Sequence, residues 1–287
     1  MTLKEEVLTP AMETIRGFVR PADGAKCAGI HLEGPFLSYA KRGAQNPENL
    51  HKPDADMFMR LNEASGGVVR LVTVAPEEDG GIEFIRRVSP VCTVSIGHTT
   101  ANYETAMAAY AAGASHATHL YNGMPSLLHR EPGVIAAALD SGATVELICD
   151  GVHIHPAVVR AVFKLFGSDR VILISDSLRA TGMPDGRYPF GGQEIEVHGN
   201  RATMADDPNT LAGSVSDLMA CLKTAVSFGI PLADAVTAAA VNPAKVLGIY
   251  NRLGSLDIGK EANAAILDEH LDLKAVLYHG EVVAGAL

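Results

Sequence analysis

Short runs of β-branched and aliphatic residues alternate along this chain with Ala-rich stretches of helical period. The runs are Lys26–Leu32, Val68–Val74, Cys92–Ile96, Ser115–Leu120, Thr144–Cys149 and Arg170–Ile174. The helical stretches include Ala101–Ala112, Pro132–Ser141, Pro156–Phe166, Ser214–Phe228 and Leu232–Val241. Such alternation predicts parallel strands joined by crossover helices. The runs are apolar at consecutive positions, as strands covered by helices on both faces should be. Six strands of this kind fit either an open doubly wound sheet or a β/α barrel.

Polar residues arbitrate between the two. Glu33, His98, His119, Asp150 with His153, and Asp176 stand at or just past the ends of five different runs. A barrel gathers side chains from all its strands around one axis. An open sheet gathers them mainly at a single switch point. The pattern therefore favours an α/β fold of the TIM-type (β/α)-barrel class over residues 1–253. A complete barrel has eight strands, so the expectation is a barrel incomplete at its N-terminus, lacking the first two βα units. Residues 254–287 read differently: Ala264–Leu267, Ala275–Tyr278 and Glu281–Val283 are separated by turn residues such as His279-Gly280. They predict a small antiparallel β module. A hairpin is expected at Gln193–Val197 and Arg201–Met204, around Gly199-Asn200.

Composition narrows the class. Hydrophobic residues make up 47% of the 287 and charged residues 20%, enough apolar content for a large core. The net charge of −10 argues against nucleic acid and anionic membrane as partners, both of which need a basic face. The four cysteines, Cys27, Cys92, Cys149 and Cys221, are widely spaced in or beside apolar runs, which points to reduced, buried thiols. No apolar signal region opens the chain and no run of 18 apolar residues occurs. The expected setting is cytoplasmic.

Glu33, His98 and His119 carry the first candidate chemistry. One carboxylate and two imidazoles from different strand ends suffice for a catalytic zinc-type site with water in the open position. Taken singly, a histidine near a strand end is more often an ordinary hydrogen-bonded residue, and the spacing matches no short metal motif. Asp176 follows the apolar Val171–Ile174 and Ser175; it either caps the next turn or serves as a general base. Arg130 either pairs with Glu131 on a solvated loop or grips phosphate with its fork of donors. Ser214 is an N-cap candidate, with a backbone approach to ligand at Gly213 as the alternative. His51, His155 and His198 have no usable context.

The segments HLEGPF at 31–36, GHTTA at 97–101, THLYNGMPSLLHREPG at 118–133, DGVH at 150–153, SDSLRATGMPDG at 175–186 and LAGS at 211–214 together resemble the N-acetylglucosamine-6-phosphate deacetylases of the amidohydrolase superfamily. The resemblance covers nearly the whole chain in order. It implies metal ligation by Glu33, His98 and His119, with one divalent ion, most naturally Zn2+, and catalysis by Asp176. It implies substrate contacts at Ala44, Gln45, Asn122, Gly123, Asp150, Gly151, His153, Leu211, Ala212 and Gly213. It further implies a homodimer in which Arg130 binds phosphate across the interface. The tail 254–287 would be the remnant of a small β-sandwich domain.

Two departures stand out. Gln45 occupies a position where the family often carries a histidine implicated in polarising the amide carbonyl; Gln can donate a hydrogen bond but cannot become cationic. Members of the family also carry roughly 100 further N-terminal residues, which would supply the first two barrel strands. The implied reaction is hydrolysis of the acetamide of N-acetylglucosamine 6-phosphate to acetate and glucosamine 6-phosphate. The alternatives are another amidohydrolase of the cyclic amidase type, or an inactive fragment that only binds ligand.

Overall fold

The computed structural model describes residues 1–22 and 24–286. Six parallel strands form one sheet: β1 (Ile30–Glu33), β2 (Val69–Val74), β3 (Thr93–Ile96), β4 (His116–Ala117), β5 (Thr144–Ile148) and β6 (Val171–Ile174). Their order in the sheet is their order in the chain, with every neighbouring pair parallel. A doubly wound sheet reverses order at a switch point; this one never does, so it is an arc of a (β/α) barrel. Beyond β6, Ser177 bridges Ser214 in parallel, which brings the Leu211–Ser214 segment alongside the end of the arc.

The helices α1 (Glu5–Arg16), α2 (Ala55–Ala64), α3 (Gly81–Val88), α4 (Tyr103–Ala111), α5 (Gly133–Ser141), α6 (Pro156–Phe166) and α7 (Leu218–Ser227) pack outside the arc. The first three were not singled out by the alternation pattern. In α2 the buried residues Ala55, Met57, Phe58 and Leu61 share one face, and Asp54 caps the helix by accepting from the amides of Asp56 and Met57. α6 matches the expected span; Pro156 occupies its first turn, where no amide donor is required. α7 begins at Leu218, not Ser214, because Asp217 is its cap and accepts from the Ala220 amide at 2.7 Å. The expected helix 232–241 is α8 (Leu232–Val236), then a π turn at Thr237–Val241, then α9 (Asn242–Val246). Asn242 explains this continuation: its Nδ2 donates to the carbonyls of Ser168 and Val171, both at 2.7 Å, tying the helix to the start of β6.

The core lies between sheet and helices, around Phe58, Phe84, Ile96, Leu147 and Leu173. Each such burial contributes about 1.5–3 kcal/mol. A second, smaller core sits under an inserted antiparallel sheet of β7 (Gly186–Phe190), β8 (Gln193–His198) and β9 (Arg201–Met204). The expected hairpin is thus β8–β9, with β7 added along β8. The tail forms β10 (Ala264–Leu267), β11 (Leu273–Tyr278) and β12 (Glu281–Gly285), antiparallel as expected.

Cys149 and Cys221 are buried and Cys92 half-buried, but Cys27 is exposed. The expected burial fails there because β1 begins at Ile30, leaving Cys27 in an irregular approach to the strand. Among the described residues, no helix is long and apolar enough to cross a membrane.

Candidate active site

The site forms at the C-terminal ends of the strands, where the chain turns sharply. His98, His119 and Asp176 follow β3, β4 and β6, and all three have positive φ: 48°, 28° and 50°. A non-glycine residue held there costs about 1–3 kcal/mol and persists only where its surroundings hold it. The turn swings each side chain off its strand and toward the barrel axis. Glu33 ends β1 and points to the same place.

Glu33 Oε1 lies 2.9 Å from both His98 Nε2 and His119 Nε2, and the two nitrogens are 3.0 Å apart. Both histidines are buried. His98 Nδ1 donates to the Lys41 carbonyl at 2.7 Å. A carbonyl only accepts, so neutral His98 keeps its lone pair on Nε2, facing the cluster. This close set of one carboxylate oxygen and two imidazole nitrogens is the donor set of a divalent cation site. Burial alone would raise Glu33, but the adjoining imidazoles of His119 and His98 outweigh it and hold the carboxyl well below the usual range. Burial alone would lower His119, but its bond to Glu33 carries it up to about 9.

Asp176 faces the same cavity, whose volume is about 450 Å³. Burial first, and the Glu33 carboxylate second, push its carboxyl up to about 6, against the pull of His119 and His153. Close-packed backbone fixes its position: the Ser214 amide donates to the Asp176 carbonyl at 2.8 Å. Gly213, at φ +50°, lies so near that a Cβ there would sit 2.9 Å from that carbonyl oxygen. Gly123 has the same part to play beside His98. Its φ is +58°, a Cβ would approach His98 Nδ1 to 2.9 Å, and its carbonyl accepts the Thr99 amide at 2.9 Å.

His153 lines the cavity and is fixed from behind by Asp150. Asp150 Oδ2 accepts from His153 Nδ1 at 2.7 Å, and Oδ1 accepts the amides of Val152 and His153, each at 2.9 Å. Burial opposes ionisation of Asp150, but these bonds outweigh it and lower its pKa. The tautomer is thereby set, with Nε2 as the free nitrogen of His153.

Residues 8–283 match the amidohydrolase family. The chain belongs to that family. It is 41% identical over 262 residues to the N-acetylglucosamine-6-phosphate deacetylase of Bacillus subtilis, an overlap of 90% of this chain and 66% of that protein. It is 36% identical over 268 residues to the N-acetylgalactosamine-6-phosphate deacetylase of Escherichia coli O157:H7, covering 92% of this chain and 70% of that one. The structure of the N-acetyl-D-glucosamine-6-phosphate deacetylase of Mycobacterium smegmatis in complex with N-acetyl-D-glucosamine-6-phosphate superimposes with a TM-score of 0.92 at 36% identity, over 99% of this chain and 74% of that one. This amidohydrolase thus spans about two thirds of the length of the curated relatives it matches. Amidohydrolases are metal-dependent, and the cluster at Glu33, His98 and His119 has the donors to hold an ion.

Of the residues expected at the site, the amidohydrolase fold brings Ala44, Gln45, Asn122, Gly123, His153, Leu211 and Gly213 into one cavity with Glu33, His98, His119 and Asp176. Four do not line it. Asp150 stands behind His153, Gly151 is exposed, Ala212 is fully buried in the smaller core, and Arg130 is exposed on its loop. Asn209, Thr210 and Phe190 line the cavity without having been expected there. All three belong to the inserted sheet or the loop after it, and only the folding of that insertion over the strand ends brings them in.

Proposed function

We propose that this amidohydrolase removes the acetyl group of N-acetylglucosamine 6-phosphate, releasing acetate and glucosamine 6-phosphate. The observation that carries the reading is the pairing of three inward-facing metal donors with a separate carboxyl group, Asp176, in one cavity. Homology to sugar-phosphate deacetylases supports the substrate class.

Glu33, His98 and His119 would hold one divalent ion, Zn2+ by preference, which when bound supplies Lewis acidity toward the amide carbonyl and a more acidic water. Asp176 accepts a proton as water attacks and returns one to the departing amine, which leaves poorly unless protonated. His153 presents Nε2 to the cavity as a hydrogen-bonding group for the sugar, its ring locked by Asp150. The amide groups of Asn122 and the backbone at Gly123, Leu211 and Gly213 complete the wall.

Arg130 fits a phosphate site built across a homodimer. It is exposed, outside its own cavity, and beside the exposed Leu127 and Leu128. The reading also places the enzyme in the cytoplasm, where sugar phosphates are made and used.

Similarity to an N-acetylgalactosamine-6-phosphate deacetylase makes the C4 epimer a second candidate substrate. Acetate release from each epimer, with zinc supplied, tests the proposal. Acetate from neither, by a chain shown to hold zinc, refutes it. A clear preference for the galactose epimer replaces the first substrate with the second.

A further inference from the structure

Glu146 and His116 form a buried pair that the proposed reaction does not use. Glu146 sits in the middle of β5 and His116 at the start of β4; their exposures are 4% and 1%. Glu146 Oε1 lies 3.1 Å from His116 Nε2. The His116 ring is held at its other nitrogen by Thr144 Oγ1, 2.7 Å from Nδ1. A carboxylate this deep is expensive unless its oxygens are used.

Its remaining oxygen leads to the site. Glu146 Oε2 accepts the backbone amide of His119 at 3.2 Å, and the Glu146 carbonyl accepts the amide of Leu120 at 2.8 Å. One residue therefore supplies the acceptors for two successive amides at the turn where His119 adopts φ 28°. That turn aims the His119 imidazole at Glu33 and His98.

We propose that Glu146 is a positioning residue for the metal ligand His119, strapping the strained turn so that Nε2 is presented to the ion, with His116 Nε2 lying 3.1 Å from the other carboxylate oxygen. The inference rests on the metal-site reading above. Residues that orient a ligand in this way are typically worth about 10–100-fold in metal affinity.

Substitutions at Glu146 separate strapping from a mere buried ion pair. Glu146→Gln keeps an oxygen for the His119 amide and turns its NH2 toward His116, whose Nε2 can accept when neutral. Glu146→Asp keeps the charge but withdraws it by one methylene from the His119 amide. Glu146→Leu removes both partners. Zinc affinity of the full chain, by competition with a chromophoric chelator, is the readout, with His119→Ala as the reference for a lost ligand.

Glu146→Asp and Glu146→Leu should weaken zinc binding tenfold or more, while Glu146→Gln stays within threefold of wild type. Should Glu146→Leu fail to fold, the Asp and Gln variants still decide. Wild-type affinity in Glu146→Asp, or equal loss in Gln and Asp, overturns the strap while leaving the metal site standing. A wild-type chain whose zinc affinity His119→Ala does not change overturns the metal-site reading itself.

Discussion

Gln45 is fastened to Glu33. Its Nε2 donates to Glu33 Oε2 at 2.9 Å, and its Oε1 accepts the Thr2 amide at 2.8 Å. Both ends of the carboxamide are thus engaged, at a position where the family resemblance calls for a substrate contact and often a histidine. Gln45→Leu is nearly isosteric but leaves the buried Thr2 amide without a partner, a loss of about 1–3 kcal/mol. The variant should show a lower urea midpoint and looser zinc binding. An unchanged midpoint would mean the carboxamide bonds contribute nothing.

The metal donors make a stoichiometric prediction. After zinc loading and dialysis, mass spectrometry should find about one ion per subunit, as expected for three protein ligands and an open position. His119→Ala, with one of three donors gone, should retain little. Full retention would move the ion elsewhere.

Asp176→Asn should bind zinc as the wild type does and lose turnover. The amide fills the same space but cannot accept the water's proton. Loss of general acid–base catalysis alone lowers the rate roughly 10²–10⁴-fold. More than about a tenth of the wild-type kcat would require a different base.

Gly213→Ala tests how tightly the backbone places Asp176. The added methyl would sit 2.9 Å from both the Asp176 carbonyl oxygen and a methyl of Leu178, at a φ of +50°. The wall must move, and Asp176 with it. The expected outcome is reduced kcat with zinc affinity preserved, since Glu33, His98 and His119 lie on other strands. Unaltered kcat would show that Asp176 tolerates the shift.

Arg130→Ala should raise KM for the 6-phosphate substrate far more than for unphosphorylated N-acetylglucosamine, because a guanidinium–phosphate pair is charge-assisted. Mixing Arg130→Ala with Asp176→Asn chains should restore part of the activity: a mixed dimer has one site with both an intact Asp176 and the partner's intact Arg130. Equal KM effects on both substrates would remove Arg130 from the phosphate. Absence of complementation despite subunit exchange would confine it to its own subunit.

The alternation of apolar runs and helical stretches was enough to establish parallel strands, their approximate bounds and the antiparallel tail. Each of these depends on local burial, which periodicity records directly. Glu33, His98, His119 and Asp176 were legible as candidates for the same reason: each is an ionisable residue at or just beyond the end of an apolar run. Helices α1 to α3 were passed over because they are not Ala-rich, although their apolar residues recur at helical spacing, as Phe84, Ile85 and Val88 do in α3.

Which side chains actually meet was decided by the tertiary structure. Nothing along the chain separates Asp150, which stands behind His153, from residues that line the cavity. Nothing local says that Ala212 faces a core while Leu211 and Gly213 on either side face the cavity, or that Glu146 reaches the amide of His119. These relations depend on the register between neighbouring strands and on the positive-φ turns at His98, His119 and Asp176. A one-residue change in either would send the same side chains to the opposite face. Periodicity reports how each segment is buried; the meeting of segments is a non-local property, set only when the strands of the arc are assembled around their common axis.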